Sequence, residues 1–184
     1  MKLSKTTTAL LVAIGIIGAG SAAFATSAQL QPKSNSEVTL AVQSKINLTQ
    51  AIQIASQQVQ GDIVSAEFDD DKGGQYEVEI INGTTSHEIK INANTGEIIK
   101  TKQEVMDAED TEEHKAFVQA KIKLNQAMQQ ANQLIGGQVV SAEFDMKKGV
   151  AVYDIEIAKD GQMHEVRLDA NTGAVLKNKI DHDS

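Results

Sequence analysis

The chain has no cysteine, no tryptophan and a single proline among its 184 residues. Without cysteine it can form no disulfide, thiol nucleophile or thiolate metal site. Only 3% of the residues are aromatic, which argues against carbohydrate binding through exposed stacking rings. Aspartate and glutamate (25) outnumber lysine and arginine (17), giving a net charge of -8. Nucleic acid and anionic lipid are therefore poor partners, because binding to phosphate requires cationic side chains.

Residues 1–25 have the pattern of a secretory signal peptide. Lys2 and Lys5 precede an apolar stretch at residues 9–20, and the small residues at 23–25 favour cleavage after Ala25. The alternative is an uncleaved anchor, although the stretch is short for a membrane-spanning helix. No cysteine follows it, so we expect no lipid anchor. We expect a secreted or cell-envelope protein with no membrane contact beyond this segment. Loss of both lysines would take its net charge from -8 to -10.

The rest of the chain is dominated by an internal repeat. KINLTQAIQIASQQVQGDIVSAEFD begins at Lys45, and KIKLNQAMQQANQLIGGQVVSAEFD begins at Lys121. The offset between the copies is 76 residues here and 77 from Tyr76 and Tyr153 onward. Self-similarity over a window this long indicates two copies of one structural unit.

Each copy predicts one helix followed by four antiparallel strands. Apolar residues recur at helical spacing after Thr49 and after Asn125, which we predict as N-caps, and glycines at Gly61 and residues 136–137 are predicted C-caps. Alternating apolar and polar residues separated by glycine turns then predict the strands. The last strand is predicted at residues 97–102 and 174–179. The charges on the polar faces and the acidic turn after the first strand are expected to differ between the copies.

The fold class expected is α+β. It comprises two tandem repeats, each one helix packed on a four-stranded antiparallel sheet in a cystatin-like half-wrap. The repeats span residues 45–104 and 121–181. Residues 26–44, which are polar and contain Pro32, predict a flexible tether. Residues 105–120 form an acidic linker, for which a short helix is favoured over a solvated segment. Because one repeat is small and lacks a disulfide, we expect the copies to pack on each other or on a shared helix.

The repeat resembles the PepSY domain family. The features that carry the resemblance are the helical alanines, the glycine after the helix, a glutamate in the first strand, a Tyr-x-aliphatic strand and an Asn-Thr-Gly closure. In the first copy these are Ala51, Ala55, Gly61, Glu67, Tyr76, Val78 and residues 89–98; in the second they are Ala127, Ala131, Gly137, Glu143, Tyr153, Ile155 and residues 166–175. The aspartate usual before the closure is Asp169 in the second copy and Asn92 in the first. We expect Asn92 to keep the turn and lose the charge.

The resemblance implies a non-enzymatic protein that binds and restrains a peptidase, or makes another extracytoplasmic regulatory contact. No HExxH zinc motif occurs in the chain, so the resemblance implies inhibition of a separate partner. An envelope protein that binds a small ligand or a cation in the groove between the repeats is the alternative. A scaffold that binds without inhibiting is a third hypothesis. We expect a monomer or weak dimer.

Residues with chemical potential have simpler structural explanations. His87 and His164 recur, but a metal site needs three or more converging ligands, so we interpret them as histidines at the sheet rim. Residues 69–74 resemble the start of a calcium loop but lack its later ligands. Ser65 and Ser141 have no glycine-rich elbow and no predictable base. We therefore predict no catalytic residue, cofactor or metal site.

The binding surface is predicted on the polar sheet face or on an exposed edge strand, where an extended peptide could pair. Glu67 and Glu143 are expected to be surface carboxylates without a cleft. The alternative for every charge on this face is a solvated surface role. The candidate binding residues are, in the first copy, Glu67, Glu77, Glu79 and Lys90, and in the second Glu143, Asp154, Glu156 and Arg167.

Overall fold

A computed structural model describes residues 33–181, and the predicted signal peptide lies outside this range. In these residues four α-helices and eight strands follow one another in the order helix, helix, four strands, twice over. The first half comprises α1 (Lys33–Gln43), α2 (Leu48–Gln58), β1 (Asp62–Asp69), β2 (Gln75–Asn82), β3 (Thr85–Asn92) and β4 (Ile98–Val105). The second comprises α3 (Ala108–Gln119), α4 (Leu124–Ile135), β5 (Gln138–Lys147), β6 (Val150–Lys159), β7 (Gln162–Asp169) and β8 (Val175–Asp181). No helix in residues 33–181 is long and apolar enough to cross a membrane.

The strands form one continuous antiparallel sheet in the order β4-β3-β2-β1-β5-β6-β7-β8. The repeats join where residues 65–67 of β1 pair with residues 141–143 of β5, a junction called the seam below. At its centre Ala66 lies opposite Ala142, its own equivalent in the other repeat, so the repeats are related by an approximate twofold axis. Both alanines are fully buried. The predicted fold class is confirmed, and the copies pack on each other through strand pairing.

One face of the sheet carries the hydrophobic core. Tyr76 and Tyr153 are fully buried there, and their hydroxyls donate to the carbonyls of Ile46 at 3.0 Å and Ile122 at 2.7 Å, ahead of α2 and α4. Burial raises the pKa of both tyrosines to about 12. Small helical residues such as Ala51, which is fully buried, allow the helices to lie close to the strands.

The helix caps differ from those predicted. The N-cap of α2 is Asn47, whose side chain accepts from the amide of Gln50 at 3.0 Å while Gln50 accepts from the amide of Asn47 at 2.9 Å. This reciprocal capping box replaces the predicted cap at Thr49. In α4 the N-cap is Lys123 instead of Asn125, and its amide donates to Gln126 at 2.9 Å. In both helices the side chain of a glutamine three residues after the N-cap, Gln50 or Gln126, accepts from the N-cap amide. This contact marks the start of each helix.

Gly61 and Gly137 are required by close backbone packing. The C-cap of α2 is Val59, and the C-cap of α4 is Gly136. A Cβ atom on Gly61 would lie 2.3 Å from the carbonyl oxygen of Ile81, and one on Gly137 would lie 2.6 Å from that of Ala158. The predicted C-caps at Gly61 and Gly137 were wrong, and the one at Gly136 is confirmed. Each lets the chain pass close to the second strand of its repeat.

The predicted flexible tether is wrong for residues 33–43, which form α1. Val38 and Ala41 of this helix are 2% and 0% exposed, and α1 contacts β6 and β7 of the second repeat. Gln138 donates to the carbonyl of Ala41 at 2.9 Å. This helix could not be predicted from the polar composition of the segment, because few of its residues are apolar and buried.

The acidic linker contains the favoured helix, α3, whose N-cap Asp107 forms a capping box with Asp110. Its His114 Nε2 lies 2.8 Å from Asp62 of β1, at the position equivalent to Gln138. Each helix that precedes a repeat therefore contacts the first strand of the other repeat. These contacts of α1 and α3 join the two repeats in addition to the strand pairing at the seam.

Candidate functional site

The face of the sheet opposite the core, called the polar face below, presents two rows of side chains that cross all eight strands. The first row, from β4 to β8, is Lys100, Lys90, Glu77, Glu67, Ser141, Glu156, Glu165 and Lys179. The second is Lys102, Glu88, Glu79, Ser65, Glu143, Asp154, Arg167 and Lys177. All eight predicted binding residues lie in these rows.

The charges of the polar face keep their sign between the repeats. Glu67 corresponds to Glu143, Glu77 to Asp154 and Lys90 to Arg167, and the remaining pairs of equivalents also match. The expectation that these charges differ was wrong for their sign, although Glu77 is matched by the shorter Asp154 and the ammonium of Lys90 by the guanidinium of Arg167. Across the sheet the four central strands contribute carboxylates and serines to the rows, and the basic residues stand on the outer four.

The strand pairing gathers carboxylates into a cleft of about 230 Å³ beside the seam. It is lined by Ser65, Glu67, Glu77, Glu79, Ser86, Glu88, Lys102, Glu104 and Glu143. The prediction that Glu67 and Glu143 have no cleft was therefore wrong. The other four candidates, Lys90, Asp154, Glu156 and Arg167, lie on the same face but not in the lining.

Glu67 and Glu143 occupy equivalent positions in the two repeats and lie diagonally across the seam from each other. Glu67 is opposite Ser141, and Glu143 is opposite Ser65. Both remain open to solvent at the cleft, yet protein surrounds them on their other sides. Desolvation and then the charge of Glu67, opposed in part by Lys147, raise the pKa of Glu143 to about 7. Desolvation, followed by Glu77 and Glu79, also raises the pKa of Glu67. Desolvation and repulsion between like charges therefore both favour the protonated form of the carboxyls at the seam.

Away from the seam the charges are paired. Arg167 makes a two-pronged contact to Asp154, with Nε at 2.6 Å from one carboxylate oxygen and Nη2 at 2.9 Å from the other. Lys90 lies 2.6 Å from Glu77. Glu165 is contacted by Lys177 at 2.6 Å and by Lys179 at 3.2 Å. The polar face is therefore acidic along its middle and compensated toward its margins.

Several lining residues escaped prediction from the sequence. Ser86 donates to Glu79, and Glu88 and Lys102 face each other across β3 and β4. Their polar phase in the alternating strands could have identified Ser86 and Glu88, because every second residue faces the same side. Glu104 lies beyond the end predicted for the last strand, which extends to Val105.

The other candidate constellations are not assembled into sites. His87 lies on β3 and His164 on β7, with four strands between them, so the symmetry does not bring them together. Among residues 33–181, Asp69, Asp70 and Asp71 are the acidic group that could approach a cation, with ligand atoms within 4.8 Å of one another. The Asp69 carboxylate already accepts from the Asp71 amide and the Gln75 side chain, at 2.8 and 2.9 Å.

The closing turns keep the same geometry despite the change of residue before them. Asn92 accepts from the amides of Asn94 and Thr95 at 2.8 and 3.0 Å, and Asp169 accepts from those of Asn171 and Thr172 at 2.9 and 2.8 Å. Only the second carries a charge, and these amides lower the pKa of Asp169. The expectation for Asn92 is confirmed.

A second cavity lies on the helix side, between α2 and α4. It has a volume of about 320 Å³ and is lined by Ile52, Gly61, Asp62, Ile63, Phe117, Lys123, Leu124, Asn125 and Met128. Phe117 also packs edge-on against Phe144, with ring centroids 5.3 Å apart. This cavity is the groove between the repeats that the alternative hypothesis requires.

The model of one protein family matches both repeats. The family is described as "Peptidase propeptide and YPEB domain", PepSY, and the matches cover residues 45–102 and 121–179. The chain belongs to the PepSY family. The PepSY matches coincide with the two helix-plus-four-strand units, while α1 and α3 precede them.

One solved structure is similar to this PepSY chain, a protein of Clostridium difficile 630 described as a "putative lipoprotein" (CD1622). The two are 28% identical, the similarity covers 79% of this chain and 99% of that one, and the TM-score is 0.49. No curated protein matches the chain.

Proposed function

We propose that this chain is an exported, non-enzymatic PepSY protein that binds a protein partner through its polar face and restrains an extracellular or cell-wall peptidase. The description of the family supports a link to peptidases through propeptides. The predicted signal peptide supports export.

The observation that carries the proposal is the acidic middle of the polar face. Glu67, Glu77, Glu79 and Glu143 line one cleft, and Lys102 is the only basic residue that residues 33–181 contribute to its lining. Within the described residues 33–181, the helices cover the opposite side of the sheet. A concave surface of one charge attracts a partner of the opposite charge and speeds its association. The partner surface is therefore expected to be basic.

The test begins with the purified protein and the culture supernatant of the producing cells. Immobilised protein should retain a peptidase, and adding free protein should lower the activity of that peptidase in proportion to occupancy. Association should slow as salt is raised, because steering by exposed charges is screened. Retention without loss of activity would support a scaffold.

A charge-neutral variant locates the interface. Glu67→Gln combined with Glu143→Gln removes the two carboxylates at the seam and should weaken binding about ten-fold, mainly through slower association. The matched control, Glu109→Gln with Glu112→Gln, changes the net charge equally on α3, where both residues are exposed. Equal binding by both variants would exclude the polar face.

The cavity between α2 and α4 favours a second candidate, a small-ligand or cation-binding envelope protein. Its volume of about 320 Å³ suits a small molecule, and five of its lining residues are apolar. A thermal shift on adding a ligand or metal, together with no effect on any secreted peptidase, would favour this candidate.

A further inference from the structure

The two outer strands of the sheet carry the same short sequence at their start. β4 begins Ile98-Ile99-Lys100-Thr101-Lys102 and β8 begins Val175-Leu176-Lys177-Asn178-Lys179. Each motif is two branched apolar residues followed by Lys-x-Lys. The sheet order ends at these strands, so within residues 33–181 their outer backbone edges pair with no other strand.

The apolar pairs are exposed, although they lie at the start of regular strands. Ile99 is 47% exposed and Leu176 is 51% exposed, and their neighbours Ile98 and Val175 are 39% and 46% exposed. Exposed branched residues beside an unpaired strand edge form a surface on which another strand can add. Single exposed apolar residues need no explanation, but here the same pair is present at both edges.

The lysines decide which strand can add. Lys100 and Lys102 project on the polar face, as do Lys177 and Lys179 at the other edge. Lysines on edge strands oppose pairing between two such edges. Two copies of this chain paired edge to edge at their Lys-x-Lys segments would bring lysines against lysines, so this register of self-association is disfavoured. A strand with acidic residues at alternate positions would instead place a carboxylate beside each lysine.

We propose that β4 and β8 are two equivalent docking edges for an extended segment of a partner protein that carries acidic residues at every second position and branched apolar residues between them. Backbone hydrogen bonds to the edge provide affinity, and the lysines select the charge. The apolar residues of the segment cover Ile98 and Ile99, or Val175 and Leu176. Lys102 also lines the cleft of the polar face, so the two surfaces adjoin at β4, whereas no residue of β8 is in the cleft lining.

The probe is a labelled eight-residue peptide that alternates valine with glutamate, compared with the same peptide carrying lysine in place of glutamate. Fluorescence anisotropy with the full chain should show two sites for the glutamate peptide and binding at least about ten-fold weaker for the lysine peptide. In NMR spectra the perturbed backbone amides should be those of β4 and β8. Equal binding of both peptides, or no binding at millimolar concentration, would overturn the proposal.

Charge-reversal variants assign the two edges. Lys100→Glu with Lys102→Glu should reduce the stoichiometry from two to one, and Lys177→Glu with Lys179→Glu should remove the other site. The control, Lys72→Glu with Lys115→Glu, makes the same change in net charge in a turn and on α3, and should keep both sites. Perturbations confined to the helix side, or a dimer of the free protein by light scattering, would contradict docking at the edges. Glu67→Gln with Glu143→Gln should leave peptide binding unchanged, which separates this result from the test of the polar face.

Discussion

Glu143 offers a direct test of the electrostatics at the seam. Its pKa is raised to about 7, first by desolvation and then by Glu67, Asp145 and Asp154, with Lys147 opposing. In the unfolded chain the same carboxyl titrates near 4.5. The folded state therefore holds a proton on Glu143 that the unfolded state has released, between those two pH values. This contribution to stability is fully present below about pH 4.5 and is lost as the pH rises through about 7.

The magnitude follows from the difference in pKa and from the exposure of the side chain. Without screening, the shift would correspond to roughly 3 kcal/mol. Because Glu143 remains open to solvent, we expect about 1 kcal/mol. Glu143→Gln imitates the protonated form, so the variant should match the unmodified protein below pH 4.5 and exceed its stability by about 1 kcal/mol at pH 8.

Urea unfolding at several pH values measures this difference, and NMR of labelled glutamate carboxyls measures the pKa itself. Glu67→Gln should lower the pKa of Glu143, because it removes the largest repulsive charge. Glu97→Gln, at an exposed position after the closing turn, is the control for loss of one carboxylate away from the seam. A Glu143 pKa near 4.5, or one unaffected by Glu67→Gln, would refute the reasoning.

Three further predictions concern the fold and can be checked by urea or thermal unfolding. Gly61→Ala should destabilise the protein by about 2 kcal/mol, because its Cβ would lie 2.3 Å from the Ile81 carbonyl oxygen. Gly61 is not among the glycines with positive φ, so its loss would report this contact, whereas Gly83→Ala, in open space with φ of +63°, should cost only the backbone strain of about 1 kcal/mol; unchanged stability in Gly61→Ala would contradict the steric argument. Asn47→Ala should cost about 1 kcal/mol through loss of the capping box, whereas Thr49→Ala should cost less if Asn47 is the cap. Cleavage near Asp110 should leave halves markedly less stable than the whole chain, because it separates strands joined at the seam; a half that melts like the full chain would show that this pairing contributes little.

Local features could be predicted from the sequence because they depend on neighbours along the chain. The glycine turns, the alternating strands and the equivalence of Asn92 and Asp169 are of this kind. The helix starts were misplaced by two residues, since the side chain of Gln50 or Gln126 had to be recognised as half of the cap. α1 was missed because its buried side, which includes Val38 and Ala41, becomes visible only when its packing surface on β6 and β7 is known.

The residues of the candidate site could be predicted from the sequence, but their proximity to one another and the cleft that they line could not. Alternation put Glu67 and Glu143 on a polar face, and sequence spacing separates them by 76 positions. Only the pairing of β1 with β5 brings them together, because strand register across a twofold axis is a property of the assembled sheet. The same applies to the cleft and to the raised pKa of Glu143.

The sequence by itself determined the doubled α+β unit, its family and the alternation that makes one face polar, since each depends on residue types at short spacing. The tertiary structure decided that two four-stranded sheets become one of eight strands, and that the helix before each repeat contacts the other repeat. It thereby decided which charges meet at the seam and which strands are outermost in the sheet of residues 33–181. Burial of apolar surface and completion of backbone hydrogen bonds act between distant segments, and these choices follow from them.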